Sequence, residues 1–455
     1  MLHTETVSSV ELTRFYLDRI QRLNPELNAV IATAPDALAA AAASDTRRRT
    51  GALLGPLDGI AVLLKDNIEA VGLPGTAGSR ALLGSPPTAD APLVRRLRAA
   101  GLVLLGATNL SEWANFRSTA STSGWSAVGG QTRNPHDPAR NTSGSSSGSA
   151  AAIAAGLAPL AVGTETDGSI VSPAGVCGIV GFKPTVGRVP GAGIVPISSR
   201  QDTAGPMART VADAAALFAV LAGSPPVTAA PVSLAGRRVA VWRPDKVPAE
   251  VAAVLDALER ALIGAAAVPV AVAGTSSGPF DDTEFDALVA EFAVELPAYL
   301  AARPGDHPRT WPQLLAFNRA DELELSRFSD EIFGLCEPAL AAGGLASQRY
   351  LAARSSCDAA ATAALAGLLD GCEFALAPTN SPAWPIDYQV PDDYGVLTSS
   401  LCAVTGSPSI SLPAGSVRGL PVGVSLLGRH GQDEQLLAFA AAVEALLPEP
   451  RYPLD

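Results

Sequence analysis

The chain has 455 residues, 48% hydrophobic and 17% charged, which predicts a globular protein with a large buried interior and excludes general disorder. Its formal net charge of −12 argues against a nucleic-acid partner, because nucleic acid is bound by clustered basic residues. The N-terminal segment has no continuous apolar core, and no apolar run reaches about 18 residues. We therefore expect no signal peptide, no membrane partner and a cytoplasmic location.

The cysteines and histidines give no sign of a disulfide framework or a metal site. The five cysteines are scattered and include no C-x-x-C pair, which indicates buried thiols. Histidine occurs four times, at spacings that do not suggest a shared metal: His3, His136, His307 and His430. We expect no metal and no cofactor.

Predicted helices and strands alternate along most of the chain. Ser8 and Ser9 precede apolar residues at helical spacing and predict a first helix, and the alanines near residue 40 predict a second. Strands are predicted in eight short apolar runs: GIAVLLKDN, residues 102–106, residues 160–163, RRVAVWRPD, VPVAVA, CEFALAPT, SPSISLPAG and PVGVSLLG. Helical patterns lie between several of these runs, which predicts an α/β fold with a mostly parallel sheet.

The segment from about Asp281 to Arg354 differs from the rest of the chain. It has a helical pattern, many acidic residues and an apolar stripe formed by Phe285, Leu288, Val289, Phe292 and Leu296. We interpret residues 281–354 as a helical cap that lines the substrate site. No long linker is visible, so residues 1–455 are predicted to form a single domain.

Lysine is rare in this chain, and its positions are therefore informative. Only three of the 32 basic residues are lysine, namely Lys65, Lys183 and Lys246. Arginine stays protonated in proteins, whereas a buried lysine loses its proton readily and then serves as a base. Lys65 ends an apolar strand and should be buried, which favours a functional role. The alternative is a structural ion pair with Asp66 or Glu69.

A stretch rich in serine and glycine, ARNTSGSSSGSAAAIAAG at residues 139–156, offers hydroxyl groups to such a base. It is too short for a linker and lacks the Gly-Lys-Ser/Thr ending of a phosphate loop. The segment GSSSG also matches the nucleophile elbow G-x-S-x-G, with Ser146 at its centre. An elbow needs a preceding apolar strand and a later histidine of a triad, and neither is evident here. A Ser-His-Asp hydrolase using Ser146 is therefore the weaker alternative.

These motifs together resemble the amidase signature family. The resemblance is carried by GPLDGIAVLLKDNI, by the serine-glycine stretch and by GTETDGSIVSPAGVCGIVGFKPTVGRVP, and it covers most of the chain. NLSEWANF and SGWSAVGGQTRNP are most similar to bacterial peptide amidases. The resemblance implies a large mixed, mostly parallel twisted sheet with helices on both faces and a Ser–cis-Ser–Lys triad.

Matched position by position, the resemblance implies a role for each of three residues. Ser169 is the nucleophile that forms the acyl-enzyme, Ser145 is the bridging serine that follows a cis peptide bond, and Lys65 is the base. It also implies an oxyanion hole and supporting positions. Backbone N–H groups of Thr166, Asp167, Gly168 and Ser169 form the hole, with Gly144 and Ser146 in support.

The chain departs from the family pattern at a few positions. Val171 stands where an arginine often follows the Ser-Ile of the nucleophile loop, and such an arginine is suited to hold an anion. Its absence argues against the tRNA-dependent amidotransferase branch. Asp58 and Ala61 also depart from the usual GPLHGIPV, with an effect that the sequence leaves open.

The expected activity is hydrolysis by water of a small-molecule or short peptide amide. Carbamate or ester hydrolysis by the same triad is the alternative, because only the pocket distinguishes these substrates. A non-catalytic binding protein that keeps the fold is a further alternative. Thr119 and Ser121 are expected to line the substrate pocket, and a homodimer is one arrangement that the sequence leaves open.

Overall fold

The computed structural model describes residues 6–227, 229–274 and 281–454. His3 lies outside the described residues. The prediction of a single domain over residues 1–455 stays a prediction.

Eleven strands from across the described chain form one sheet, and two further strands form a short hairpin. The strands are β1 (Val30–Thr33), β2 (Ala61–Lys65), β3 (Val103–Thr108), β4 (Trp125–Ser126), β5 (Gly130–Gln131), β6 (Leu160–Glu165), β7 (Val180–Lys183), β8 (Thr203–Ala208), β9 (Arg238–Pro244), β10 (Val268–Gly274), β11 (Phe374–Pro378), β12 (Ser409–Val417) and β13 (Leu420–Leu427). The order in the sheet is β1-β3-β2-β6-β8-β7-β12-β13-β11-β9-β10, and β4 pairs with β5.

The sheet is mixed, as expected, but the predicted predominance of parallel pairing is wrong. Within the described sheet, β3-β2, β2-β6, β11-β9 and β9-β10 are parallel, and the other six neighbouring pairs are antiparallel. Two central strands that the sequence did not predict, β7 and β8, account for three of these antiparallel pairs. Strand β8 contains Gly205 and Pro206, which are rare in central strands and conceal the strand pattern.

Thirteen helices accompany the described strands. They are α1 (Ser9–Leu27), α2 (Ala37–Arg49), α3 (Pro92–Ala99), α4 (Ser147–Ala154), α5 (Val171–Cys177), α6 (Val211–Ala222), α7 (Ala249–Gly264), α8 (Asp281–Ala302), α9 (Trp311–Ala320), α10 (Glu331–Ala341), α11 (Gln348–Leu368), α12 (Ser400–Val404) and α13 (Asp433–Glu444). The first begins as its sequence predicts, because Ser8 and Glu11 form a reciprocal capping box.

The helices cover both faces of the sheet, as expected. Val62 and Leu64 of β2 belong to a core cluster that includes residues of α3, α6 and α13. The alternate residues Ala61 and Leu63 belong to a second cluster with α1, α4 and α5. Because side chains alternate between the two faces of a strand, these clusters are the cores on opposite sides of the sheet.

Two short buried helices bring backbone close to the end of the sheet. Every residue of α4 and α5 is buried, and both helices consist mainly of small side chains. A Cβ atom at Gly148 of α4 would lie 2.3 Å from the carbonyl oxygen of Ala29. The alanine, serine and glycine content therefore permits the close approach of these helices to the strands.

The predicted cap is helical throughout most of its length. Helices α8, α9 and α10 share an aromatic core in which Phe292, Trp311 and Phe333 are in ring contact. Phe116, from the loop after β3, packs edge-on against Phe292 and joins this core to the rest of the protein. The last helix of the segment, α11, continues to Leu368, beyond the predicted end at Arg354.

Candidate active site

Lys65 lies at the carboxyl end of β2, beside the end of β6. The two strands are parallel neighbours, with Leu64 opposite Val162, so their carboxyl ends meet at the same edge of the sheet. Lys65 Nζ donates hydrogen bonds to Ser145 Oγ (2.7 Å), to Thr164 Oγ1 (2.9 Å) and to the Thr164 carbonyl oxygen (3.1 Å). The pairing of β2 with β6 therefore connects the lysine to the serine loop.

The surroundings of Lys65 favour its neutral form. Its side chain is 0% exposed, and burial lowers its pKa to about 7, although the charges of Asp202 and Glu165 act in the opposite direction. The ion-pair alternative finds no support, since Asp66 accepts hydrogen bonds from the backbone of Gly75 and Thr76. Glu69 accepts a hydrogen bond from the Tyr299 hydroxyl. Lys65 thus has the environment of a base.

The peptide bond between Gly144 and Ser145 is cis, as the resemblance implies. A Cβ atom at position 144 would lie 2.2 Å from Ser111 Oγ, so the close packing of this loop requires glycine. The Ser145 carbonyl oxygen accepts a hydrogen bond from the Ser111 backbone N–H (3.1 Å). These contacts hold Ser145 where its hydroxyl meets Lys65 Nζ.

Ser146 has a different environment from Ser145. It is 0% exposed, and its Oγ donates to the Thr164 carbonyl (3.0 Å) and accepts from the Thr164 N–H (3.2 Å). Its backbone N–H donates to the Ser169 carbonyl (3.1 Å), which ties the serine loop to the turn that carries Ser169. A hydroxyl engaged twice by backbone and closed to solvent is poorly suited to be the nucleophile of an elbow.

Ser169 lies in the turn between β6 and α5 and forms part of the wall of a cavity of about 190 Å³. Thr166, Asp167, Gly168 and Gly144 line the same cavity. Within the described chain, the backbone N–H groups of residues 166–169 donate to no protein acceptor. Since buried N–H groups are seldom left unpaired, four successive free donors at a cavity wall suit the binding of an oxyanion.

Side chains outside the sequence motifs hold this turn in place. The Asp167 carboxylate points away from the free N–H groups and accepts hydrogen bonds from Ser399 and Ser400. Thr166 Oγ1 donates to Asp202 Oδ1 (2.6 Å), and Gln201 Nε2 donates to the Thr166 carbonyl (3.4 Å). The sequence alone did not reveal these positioning residues, because nothing in their local pattern distinguishes them.

The cavity beside Ser169 is lined mainly by apolar groups outside the turn. These are Phe116 and Ala114 after β3, Ile197, Leu288 of α8, and Leu397 and Tyr394 near α12. The helical cap therefore contributes to the site as expected. The prediction for Thr119 and Ser121 is wrong, since neither lines the cavity, and exposed Thr119 binds Glu331 instead.

The backbone after β3 adopts an unusual conformation next to the cavity. Trp113, Ala114 and Asn115 are three successive residues with positive φ, at 49°, 55° and 70°. Left-handed backbone at residues other than glycine is uncommon and is concentrated at functional sites. Asn115 lines the cavity, and its buried Oδ1 accepts no hydrogen bond. Asn115 is thus a further functional candidate that the sequence pattern did not reveal.

The other sequence predictions have simple outcomes. All five cysteines are free and buried, as predicted. In the described chain, no three His, Cys, Asp or Glu side chains are grouped as a metal would require. Asp58, one of the departures from the family pattern, forms an ion pair with Arg47 (2.6 Å), and Ala61 is buried at the start of β2.

Comparison with known proteins defines the family. The Amidase family model matches residues 11–437, so the chain belongs to this family, the amidase signature family, and the protein is an amidase. The crystal structure of native peptide amidase from Stenotrophomonas maltophilia is 42% identical, with a TM-score of 0.92 over 99% of this chain and 96% of that one.

Two curated relatives are also similar along nearly the whole chain. A protein of Arabidopsis thaliana named as a probable amidase is 36% identical over 96% of this chain and 86% of its own length. A glutamyl-tRNA(Gln) amidotransferase polypeptide of Chloroflexus aurantiacus is 35% identical over 97% of this chain and 93% of its own length. Among the helices that the structure describes, none has the length and apolar content needed to cross a membrane.

Proposed function

We propose that the protein hydrolyses carboxylic amides with peptide-like, aryl or other apolar acyl groups through an acyl-enzyme on Ser169. The observation that carries this proposal is the hydrogen bond from buried Lys65 Nζ to Ser145 Oγ, next to the cavity that Ser169 lines. A lysine with a pKa of about 7 is about half neutral at neutral pH and is then able to accept a proton.

The proposed reaction begins with proton transfer along the three residues. Neutral Lys65 takes a proton from Ser145, which takes one from Ser169 as the Ser169 oxygen attacks the amide carbon. The carbonyl oxygen becomes an oxyanion within reach of the free N–H groups of residues 166–169. The relay then returns a proton to the departing amine, and water cleaves the acyl-Ser169 ester by the same route.

The cavity favours an apolar acyl group over glutamine. None of the described residues that line it is basic, so it offers no cation to a substrate carboxylate. Val171, at the position where an arginine often stands, is buried in α5, and its N–H is bound to Glu165 Oε2 (3.0 Å). The name of the peptide amidase that this chain resembles supports C-terminal peptide amides as the first substrates to test.

A release assay across four substrates with one acyl group tests the proposal: a primary peptide amide, a p-nitroanilide, a carbamate and an ester. We expect hydrolysis of the amides by the wild type and none by Ser169→Ala. Ser146→Ala serves as the matched control and should keep its activity per folded molecule. Turnover of the carbamate or ester without the amides would favour the alternative substrates, and full activity in Ser169→Ala would overturn the mechanism.

A further inference from the structure

A second cavity, of about 310 Å³, lies beside the one that Ser169 lines. The two cavities share Ala114, Thr166 and Ile197 as lining residues. Thr166 belongs to the turn with the free N–H groups, so this turn forms part of the boundary between them. A substrate bound at the turn therefore has space on two sides, one for each half of a scissile amide.

The second cavity lies on the side of the turn where Lys65 is bound. Thr164 and Asn67 line it, and Thr164 Oγ1 accepts hydrogen bonds from both Lys65 Nζ and Asn67 Nδ2, each 2.9 Å long. In the proposed reaction, the departing amine receives its proton through Lys65 and Ser145. The amine half must therefore lie toward this side, and the acyl half toward the first cavity.

The polar groups of the second cavity are hydrogen-bond acceptors and acids. Asp202 and Glu295 both line it, and none of the described lining residues is basic. Asn67 is 2% exposed, and its Oδ1 accepts no hydrogen bond. The other walls are largely apolar, including Val189 and Ile194. Such a cavity suits a short apolar group that ends in N–H donors or a positive charge.

We propose that this second cavity binds the amine half of the substrate and prefers amines that carry an additional positive charge. The inference rests on the proposed acyl-enzyme at Ser169. It also implies that such an amine, when added to the acyl-enzyme, competes effectively with water.

The implied transfer step is balanced without any further reactant. The amine nitrogen attacks the carbonyl carbon of the Ser169 ester, so a C–N bond forms as the bond from that carbon to Ser169 Oγ breaks. The nitrogen loses a proton to Ser145 and Lys65, and the relay returns one to Ser169 Oγ. The products are an amide and the free enzyme.

The test forms the acyl-enzyme from an N-acetyl-phenylalanine methyl ester and measures the ratio of amide to acid produced. At about pH 8, added ethylenediamine is mainly a monocation with one free amine, 2-methoxyethylamine has an uncharged far end, and β-alanine carries a carboxylate there. We expect ethylenediamine to give a ratio about fivefold higher than 2-methoxyethylamine after correction for the free amine fraction, and β-alanine to give the lowest.

Two variants locate the effect in the second cavity. Glu295→Gln should reduce the advantage of ethylenediamine at least about threefold, whereas Glu250→Gln, a matched change at an exposed ion pair with Arg418, should not alter it. Gly191→Trp should lower the ratio for every amine, because Gly191 lines the cavity and its Cβ direction is open. The ratio is measured within each variant, so a general loss of activity does not change it.

Equal ratios for the three amines, or an ethylenediamine advantage that survives both Glu295→Gln and Gly191→Trp, would overturn the amine site while ester hydrolysis persists. Loss of all hydrolysis by the wild type would instead refute the acyl-enzyme proposal on which the inference rests. The two failures are therefore distinguishable in the same assay.

Discussion

Replacing Lys65 with methionine removes the amine while it keeps most of the side chain's length. Nζ is the group that donates to Ser145 Oγ, and a positioned general base contributes about 10²- to 10⁴-fold to the rate. We expect kcat/KM for an amide at pH 8 to fall by this factor, about 2.7–5.5 kcal/mol of transition-state free energy. Lys65→Arg should lose about as much, because its guanidinium stays protonated.

The pH profile measures the same effect independently of the amount of folded protein. Protonated Lys65 accepts no proton, and its pKa is lowered to about 7. Wild-type kcat/KM should therefore rise with pH through about 7 and then level off, while Lys65→Met should lack this rise. Titration of a matched amide and ester pair from pH 5 to 9 gives both profiles.

Lys183 provides the matched control for this substitution. It is also fully buried, but its Nζ donates to the carbonyl oxygens of Ser407 (2.8 Å) and Pro184 (3.2 Å) and to no serine hydroxyl. Lys183→Met should lose stability yet keep the rise near pH 7. A rise near pH 7 that survives in Lys65→Met would refute the role of Lys65 as the base.

Three further substitutions test the surroundings of the triad. Asp202→Asn should shift the rise in kcat/KM to lower pH, because the Asp202 charge raises the pKa of Lys65, and an unchanged midpoint would contradict this coupling. Gly144→Ala should lower kcat more than about 100-fold with a folded circular dichroism spectrum, since the added Cβ has no space, and near-normal kcat would show that the loop adjusts. Leu288→Ala should raise kcat/KM for bulky acyl groups relative to small ones, whereas Val289→Ala, its buried neighbour outside the cavity wall, should not; equal preferences would remove Leu288 from the acyl site.

The sequence was sufficient to predict the parts of the site that depend on residue type and motif. Lys65 was conspicuous because lysine is rare here and because it ends an apolar strand. Ser145 and Ser169 were found through the family resemblance, and the structure places Ser145 against Lys65. Ser146 required the structure, because only its contacts with the Thr164 backbone distinguish it from its neighbour.

The remaining features depend on contacts between residues distant in the sequence. Asp202 reaches Thr166 from a loop 36 residues away, and Asn67 reaches Thr164 across 97 residues. Strand β8 was missed because Gly205 and Pro206 interrupt its pattern, although its neighbours in the sheet stabilise it. Local pattern therefore predicted the catalytic candidates but not the groups that position them.

Identification of the acylated residue tests the central claim most directly. The wild type is incubated with an activated ester or a fluorophosphonate, quenched in acid, digested and mapped by mass spectrometry. We expect the added mass on Ser169, its absence in Ser169→Ala and its retention in Ser146→Ala. Modification of Ser146, or of any residue other than Ser169, in the wild type would contradict the proposed mechanism.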